Sequence, residues 1–136
     1  MGVMPDCPPS WSAMPILMSQ RAMKLSRQNG WLCAKTEQWI AAPHMPGGGV
    51  RRDLFGWMDL IVLKDNQIVG VQACAMSGRA SHFNKLREPA LAEAIAEWIA
   101  HGGGAELWAF SKRKVKRGGI AVRWHCDVTL LPRRQD

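Results

Sequence analysis

Two apolar runs joined by Asp65 and Asn66 constrain the fold more than any other part of the sequence. The runs, residues 53–63 and 67–75, are apolar on both faces, which is typical of central strands of a sheet. Asp and Asn both tolerate the left-handed backbone that a two-residue hairpin connection requires. The sequence therefore predicts a tight antiparallel hairpin.

The register of this hairpin brings two polar side chains together. If the turn is tight, Lys64 pairs with Gln67, and counting back along the strands puts Asp59 directly opposite Gln72. Residues that face each other in this way lie on the same side of the sheet. We therefore expect the Asp59 and Gln72 side chains to be neighbours.

The rest of the chain predicts a single α/β domain over residues 16–132, preceded by an irregular, proline-rich arm over 1–15. Apolar periodicity and Gly or Pro breaks give the element order α-β-β-β-α-β-β, with a mixed central sheet flanked by helices. The segment after Ile40 contains three consecutive glycines and is predicted to be a long loop. The predicted elements are a helix at 16–29, strands at 31–37, 53–63 and 67–75, one kinked or two short helices within 77–101, and strands at 105–112 and 119–131.

The charge balance favours a polyanionic partner. The formal net charge is +7, and a basic excess of this size points first to nucleic acid, although basic residues can also simply keep a surface soluble. Five cations lie within six residues at the predicted tip of the last hairpin, which suits phosphate contacts unless the tip is merely solvated. The expected nucleic-acid-binding residues are Arg51, Arg52, Arg79, Lys112, Arg113, Lys114, Lys116 and Arg117.

Several classes of protein are disfavoured. The four cysteines form no CxxC pair, so neither a structural zinc site nor a disulfide framework is indicated, and we expect a cytoplasmic protein. No stretch approaches eighteen uncharged apolar residues, so we expect no membrane partner. The four histidines have no nucleophile beside them, and the Gly triplets lack the Lys-Ser/Thr of a phosphate-binding loop, which disfavours acyl transfer and nucleotide hydrolysis.

Asp59 is the residue that most needs an explanation. An aspartate within an apolar strand costs free energy unless it is paired, hydrogen-bonded or bound to a cation. Gln72, or a basic residue of the following helix, could simply satisfy it. Alternatively, Asp59 and Gln72 supply the oxygen ligands that Mg²⁺ or Mn²⁺ prefers.

Residues 53–78 resemble the core hairpin of PD-(D/E)xK nucleases, especially small Holliday-junction-resolvase-like and phage-type members. In that superfamily an aspartate on one strand faces a (Glu/Gln)-x-Lys on the next, and Asp59 and Gln72 match the first two positions. The lysine position is occupied by Cys74. The resemblance covers residues 16 to about 130 as a series of elements, and implies a restriction-endonuclease-like fold and metal-dependent cleavage of DNA, with a homodimer suited to branched DNA.

The resemblance also suggests the remaining site residues. In related enzymes the lysine can move to the following helix, where Arg79, Lys85 and Arg87 lie. We expect Lys85 to be catalytic together with Asp59 and Gln72.

Two further carboxylates are candidate metal ligands by the same resemblance. On a straight strand Asp53 would lie roughly 20 Å from Asp59, so Glu37 is expected to join Asp59 and Gln72 at the metal. A bend at Gly56 would relax this constraint on Asp53, but Asp53 could equally pair with Arg51 or Arg52. The alternative is an inactive nuclease fold that binds nucleic acid or a protein partner, which Cys74 favours.

Overall fold

The structure, a computed structural model, describes residues 17–131, so the predicted arm at 1–15 lies outside the described residues. Within this range the chain forms three α-helices and seven strands. The helices are α1 (Met18–Gln28), α2 (Arg79–Leu86) and α3 (Pro89–Ala100). The strands are β1 (Leu32–Lys35), β2 (Gln38–Ala41), β3 (Gly49–Arg52), β4 (Leu60–Lys64), β5 (Gln67–Ala75), β6 (Gly104–Lys114) and β7 (Val122–Leu130).

Five strands form one mixed sheet in the order β1-β4-β5-β6-β7, and β2 and β3 form a separate two-stranded sheet. The β5–β6 pair is parallel, because α2 and α3 carry the chain back across the sheet, and the other neighbours are antiparallel. The predicted α/β class with a mixed sheet is thus confirmed. Among the described residues, no helix has both the length and the apolar character needed to cross a membrane.

Helices cover both faces of the sheet, and each face has its own core. On one face, Ala22 of α1 packs with Val62, Val71 and Trp108. On the other, Leu86 of α2 and Ile95 of α3 belong to a cluster that also includes residues of β5 and β6. Both faces of β5 are therefore buried over residues 69–74, which explains why apolar residues occupy both faces of this strand.

The β4–β5 hairpin has the predicted register. Asp65 and Asn66 form the turn with φ of 52° and 61°, and Lys64 pairs with Gln67. The Asp59 amide donates to the Val71 carbonyl oxygen at 2.8 Å, immediately beyond the ladder.

Residues 53–58 differ from the prediction of one straight strand. The chain turns at Phe55 and Gly56, with φ of 56° and 82°, and closes through an isolated bridge between Leu54 and Met58. The turn places Trp57 and Met58 in the core, where both are fully buried. The apolar residues that suggested a strand are therefore buried by tertiary packing on a turn.

Gly70 gives these two side chains room. A Cβ at Gly70 would lie 2.6 Å from Met58 Cε and 2.7 Å from the Trp57 ring, distances that packed atoms do not adopt. The turn consequently packs against the backbone of β5, and its position depends on Gly70 in that strand.

Two other regions refine the prediction. The expected loop after Ile40 contains β2 and β3, which pair as an antiparallel hairpin. The helical region is two helices, with Pro89 at the first turn of α3. Strands β6 and β7 continue past the end of β5, since Ala75 pairs with Phe110, and residues 112–122 are here called the hairpin arm.

Candidate metal site

Three carboxylates from separate segments meet beside the start of β4. One ligand oxygen from each of Glu37, Asp53 and Asp59 lies within 4.8 Å of the other two, and these residues are called the acidic cluster. Glu37 follows β1, Asp53 follows β3, and Asp59 precedes β4. The acidic cluster therefore forms only when these parts of the chain are assembled.

Asp53 lies close to Asp59 because residues 53–58 do not form the straight strand that would separate them. The turn at Phe55 and Gly56 folds the chain back and brings the two carboxylates together. The signal in the sequence was Gly56, which offered a bend as the alternative.

Glu37 is held in place through the residue before it. The Thr36 amide donates to the Asp59 carbonyl oxygen at 2.9 Å, and its hydroxyl donates to the Met58 carbonyl oxygen at 2.7 Å. These bonds fix the end of β1 against the segment that carries Asp59. Through these bonds Glu37 lies beside Asp59, as the sequence predicted, and joins the acidic cluster.

Asp59 is only 6% exposed, and one of its oxygens is held by two donors. Asp59 Oδ2 accepts hydrogen bonds from Gln72 Nε2 at 3.0 Å and from the Ala73 amide at 2.9 Å. As predicted, the Asp59 and Gln72 side chains are neighbours, and Gln72 donates a hydrogen bond that positions the carboxyl group of Asp59. A role for Gln72 as a metal ligand stays a prediction.

Burial raises the pKa of Asp59 to about 8. Desolvation is the main cause, the hydrogen bond from the Ala73 amide opposes it, and the nearby carboxyl groups of Asp53 and Glu37 raise the pKa further. Without a cation, the Asp59 carboxyl group is therefore mostly protonated at neutral pH. The site favours an added positive charge.

Two cations partly balance Glu37. Lys35 Nζ lies 3.6 Å and Arg51 Nη1 lies 3.8 Å from Glu37 Oε1. Arg51 was predicted to bind nucleic acid, and it is about half exposed. Both pairs lie on the outer side of the acidic cluster, since Asp59 is buried and these cations are exposed.

The position of the expected lysine carries a neutral thiol. Cys74 is 3% exposed, and its pKa is raised mainly by desolvation and then by the charge of Asp59, while the charge of Arg79 lowers it. Arg79 Nη2 also donates to Thr129 Oγ1 at 2.7 Å. Arg79 thus lies close enough to Cys74 for its charge to affect the pKa of the thiol.

Lys85 lies on the exposed side of α2, and within residues 17–131 no ion pair joins it to the acidic cluster. Its predicted catalytic role stays a prediction. Arg87 packs over the Phe83 ring, with its guanidinium carbon 5.6 Å from the ring centroid.

The predicted basic residues of the last hairpin lie on the hairpin arm. Lys114, Lys116 and Arg117 are exposed there, and in the described part of the chain none of them pairs with a carboxylate. Arg113 instead pairs with Asp127 at 3.3 Å. Arg52 is exposed at the end of β3.

The acidic cluster has the chemistry of a hard-cation site. Carboxylate oxygens within 4.8 Å of one another approach the spacing that ligands about 2.1 Å from a shared Mg²⁺ adopt. The buried, protonated Asp59 is the group that would gain most from such an ion, because binding replaces the proton with a stronger charge. The residues present therefore fit Mg²⁺ or Mn²⁺.

No protein-family model, curated protein or solved structure matches this chain. The resemblance to PD-(D/E)xK nucleases therefore has only two supports within this chain. One is the position of Asp59 beside Gln72, and the other is the order of the elements around them.

Proposed function

We propose that this protein is a metal-dependent endonuclease that acts on DNA phosphodiester bonds. The observation that supports this proposal most directly is the buried Asp59, paired with Gln72 across the β4–β5 hairpin and joined by Asp53 and Glu37. Paired carboxylates at such a hairpin are what the resembling nucleases use to bind their ion.

The three carboxylates would hold Mg²⁺ or Mn²⁺, with Gln72 and the Ala73 amide fixing the orientation of Asp59. An ion bound there supplies a water of lowered pKa and polarises a phosphoryl oxygen. Arg79 is the protein's own candidate for contact with the phosphate, because its charge already reaches Cys74 at the motif's lysine position. The cytoplasm is our expectation for its location, since Cys33, Cys74 and Cys126 are free thiols.

The second candidate function is a nuclease fold that binds nucleic acid without cutting it. Cys74 favours this alternative, because a buried thiol with a raised pKa cannot provide the fixed positive charge of a lysine. Binding would then depend on exposed cations such as those of the hairpin arm, and not on Asp59 or on a metal ion.

The two candidates differ in their need for Asp59. We expect labelled single-stranded, linear duplex or four-way-junction DNA to be cut in Mg²⁺ or Mn²⁺ by the wild type, and not by Asp59→Asn. Asp65→Asn is the matched control, since it removes the same charge from an exposed residue at the hairpin turn. Binding to all three substrates without cutting would reject the endonuclease and support the binding protein.

A further inference from the structure

Two adjoining clefts lie on the α1 face of the sheet, away from the side chains of the acidic cluster. The larger, of about 580 Å³, is bounded by the start of α1, the segment after β5, and the base of the hairpin arm. Its polar and aromatic lining comprises Arg21, Ser77, Phe110, Ser111, Lys112 and Trp124. The smaller, of about 270 Å³, shares Arg21, Phe110 and Trp124, and adds Lys24 and Arg123. Together these residues define the α1 groove.

The described lining of the α1 groove carries only positive charge. Its lining includes four cations and no carboxylate. In the described residues, none of these four cations forms an ion pair with Asp or Glu, although several other cations of the domain do. Such a concave surface attracts an anionic ligand.

Arg21 is held in a geometry suited to binding a phosphate. Its guanidinium carbon lies 3.7 Å from the centroid of the Trp124 ring, and a stacked guanidinium keeps its N–H edge free to donate. Its Nε is buried and has no hydrogen-bond partner within residues 17–131. Burial also lowers the pKa of Arg21, which is the direction expected when a guanidinium loses contact with water.

Two neighbours extend this unsatisfied site. Lys112 Nζ lies 5.3 Å from the centroid of the same Trp124 ring. Ser111 Oγ is a second buried polar atom for which the described residues provide no partner. Buried polar groups are normally hydrogen-bonded, and here a guanidinium, an ammonium group and a hydroxyl group line one cleft.

We propose that the α1 groove binds a single strand of nucleic acid, with a backbone phosphate between Arg21 and Lys112. Cations interleaved with an aromatic ring are the usual construction of sites for single strands. Trp124 packs on one side against the core and is half-buried, which leaves its ring accessible to Arg21.

The groove lies at the same end of the sheet as the acidic cluster. The Ala73 amide donates to Asp59, and Ala75, two residues further along β5, lines the groove. Two residues of a strand span about 7 Å. A nucleic-acid strand bound in the α1 groove could therefore continue around the end of β5 to the carboxylates of the acidic cluster.

The ligand class, nucleic acid, is taken from the proposed function, so binding is tested separately from cutting. The probe is a short fluorescein-labelled oligothymidine strand, titrated with the full chain in EDTA and followed by fluorescence anisotropy. We expect Arg21→Gln and Lys112→Gln each to weaken binding by about tenfold. Each should also lower the slope of log K against log salt by about 0.7 for every phosphate that the variant no longer neutralises.

Arg27→Gln is the matched control, because it removes the same charge from an exposed position in the last turn of the same helix. It should change the affinity less than about twofold. Arg21→Lys keeps the charge but not the stacked fork, and we expect an intermediate decrease in affinity. Lys112 is exposed, so Lys112→Gln tests the groove even if substitution of Arg21 prevents folding.

Wild-type affinity in both Arg21→Gln and Lys112→Gln would overturn the proposal that the α1 groove binds nucleic acid. An equal decrease in Arg27→Gln would overturn it as well, because it would indicate a general effect of charge. Either result leaves the endonuclease proposal intact, because that proposal depends on loss of cutting in Asp59→Asn. Conversely, weaker binding by Arg21→Gln together with no cutting by the wild type would support binding in the α1 groove and reject the endonuclease.

Discussion

Replacing Asp59 by Asn should stabilise the metal-free protein while removing its proposed activity. Asp59 is buried, its pKa is raised to about 8, and it accepts hydrogen bonds from Gln72 and the Ala73 amide. An Asn at this position can accept the same hydrogen bonds and stays uncharged. It therefore resembles the protonated aspartic acid that the folded protein prefers.

The sign of the pH dependence follows from the direction of the shift. The pKa of Asp59 is higher in the folded protein than its ordinary value of 3.8, so between about pH 4 and pH 8 the folded state binds more protons than the unfolded state. The free energy of unfolding of the wild type therefore falls as the pH rises through this range. Asp59→Asn does not show this decrease.

The magnitude is large enough to measure. At about 1.4 kcal/mol for each pKa unit, the shift sets an upper limit of about 6 kcal/mol on the difference between Asp59→Asn and the wild type. We expect at least about 2 kcal/mol at pH 8, which corresponds to an increase of about 6 °C in Tm for a domain of this size. The difference should disappear near pH 4.

The assay is thermal or urea unfolding in EDTA at several pH values, followed by circular dichroism. Asp65→Asn is the control, because Asp65 is exposed in the β4–β5 turn, where Asn is equally compatible with the positive φ. We expect the control to differ from the wild type by less than about 0.5 kcal/mol. If Asp59→Asn is less stable than the wild type at pH 8, or its difference does not change with pH, Asp59 serves the fold as an ionised acceptor and the reasoning is refuted.

Two further predictions follow from the same site. Because an ion must displace the proton of Asp59, Mn²⁺ affinity measured by titration calorimetry should rise about tenfold per pH unit below pH 8 and level off above it; an affinity independent of pH would show that Asp59 is not a ligand. Gly70→Ala should cost about 1–3 kcal/mol by crowding Met58 and Trp57, and should weaken Mn²⁺ binding by displacing the turn beside Asp53. Gly78→Ala, whose Cβ would meet His82 at an ordinary 3.4 Å, is the control, and equal stability of the two variants would contradict the role of Gly70.

The β4–β5 hairpin could be predicted because its signals are local. Asp65 and Asn66 specify the turn, and the turn fixes the register. Counting along the strands from this turn is enough to place Asp59 beside Gln72. A pair of interacting residues is predictable in this way when one short connection determines their alignment.

The turn at residues 53–58 could not be predicted by the same means. Its residues Leu54, Trp57 and Met58 are apolar, as strand residues are, and Phe55 has no intrinsic preference for the positive φ that it adopts. The conformation is set by packing against Gly70 and the surrounding core. The closeness of Asp53 to Asp59 depends on this packing and was therefore missed.

The short β2–β3 hairpin was missed for a different reason. Its residues are largely exposed, with Trp39 57% exposed, so no burial pattern distinguishes them from a loop. The α1 groove depends likewise on which faces of α1, β6 and β7 meet, and a helix at residues 16–29 does not by itself place Arg21 over Trp124.

The acidic cluster depends on β1, which has four residues and lies at an edge of the sheet, paired with β4 alone. Edge segments open at a lower free-energy cost than the whole domain, and opening there would break the Thr36 bonds that hold Glu37 beside Asp59. Fraying of this edge and release of a bound ion are therefore thermodynamically linked. A divalent ion bound to all three carboxylates would therefore stabilise this edge of the sheet against opening. Hydrogen exchange at the Thr36 amide would slow as the ion concentration rises.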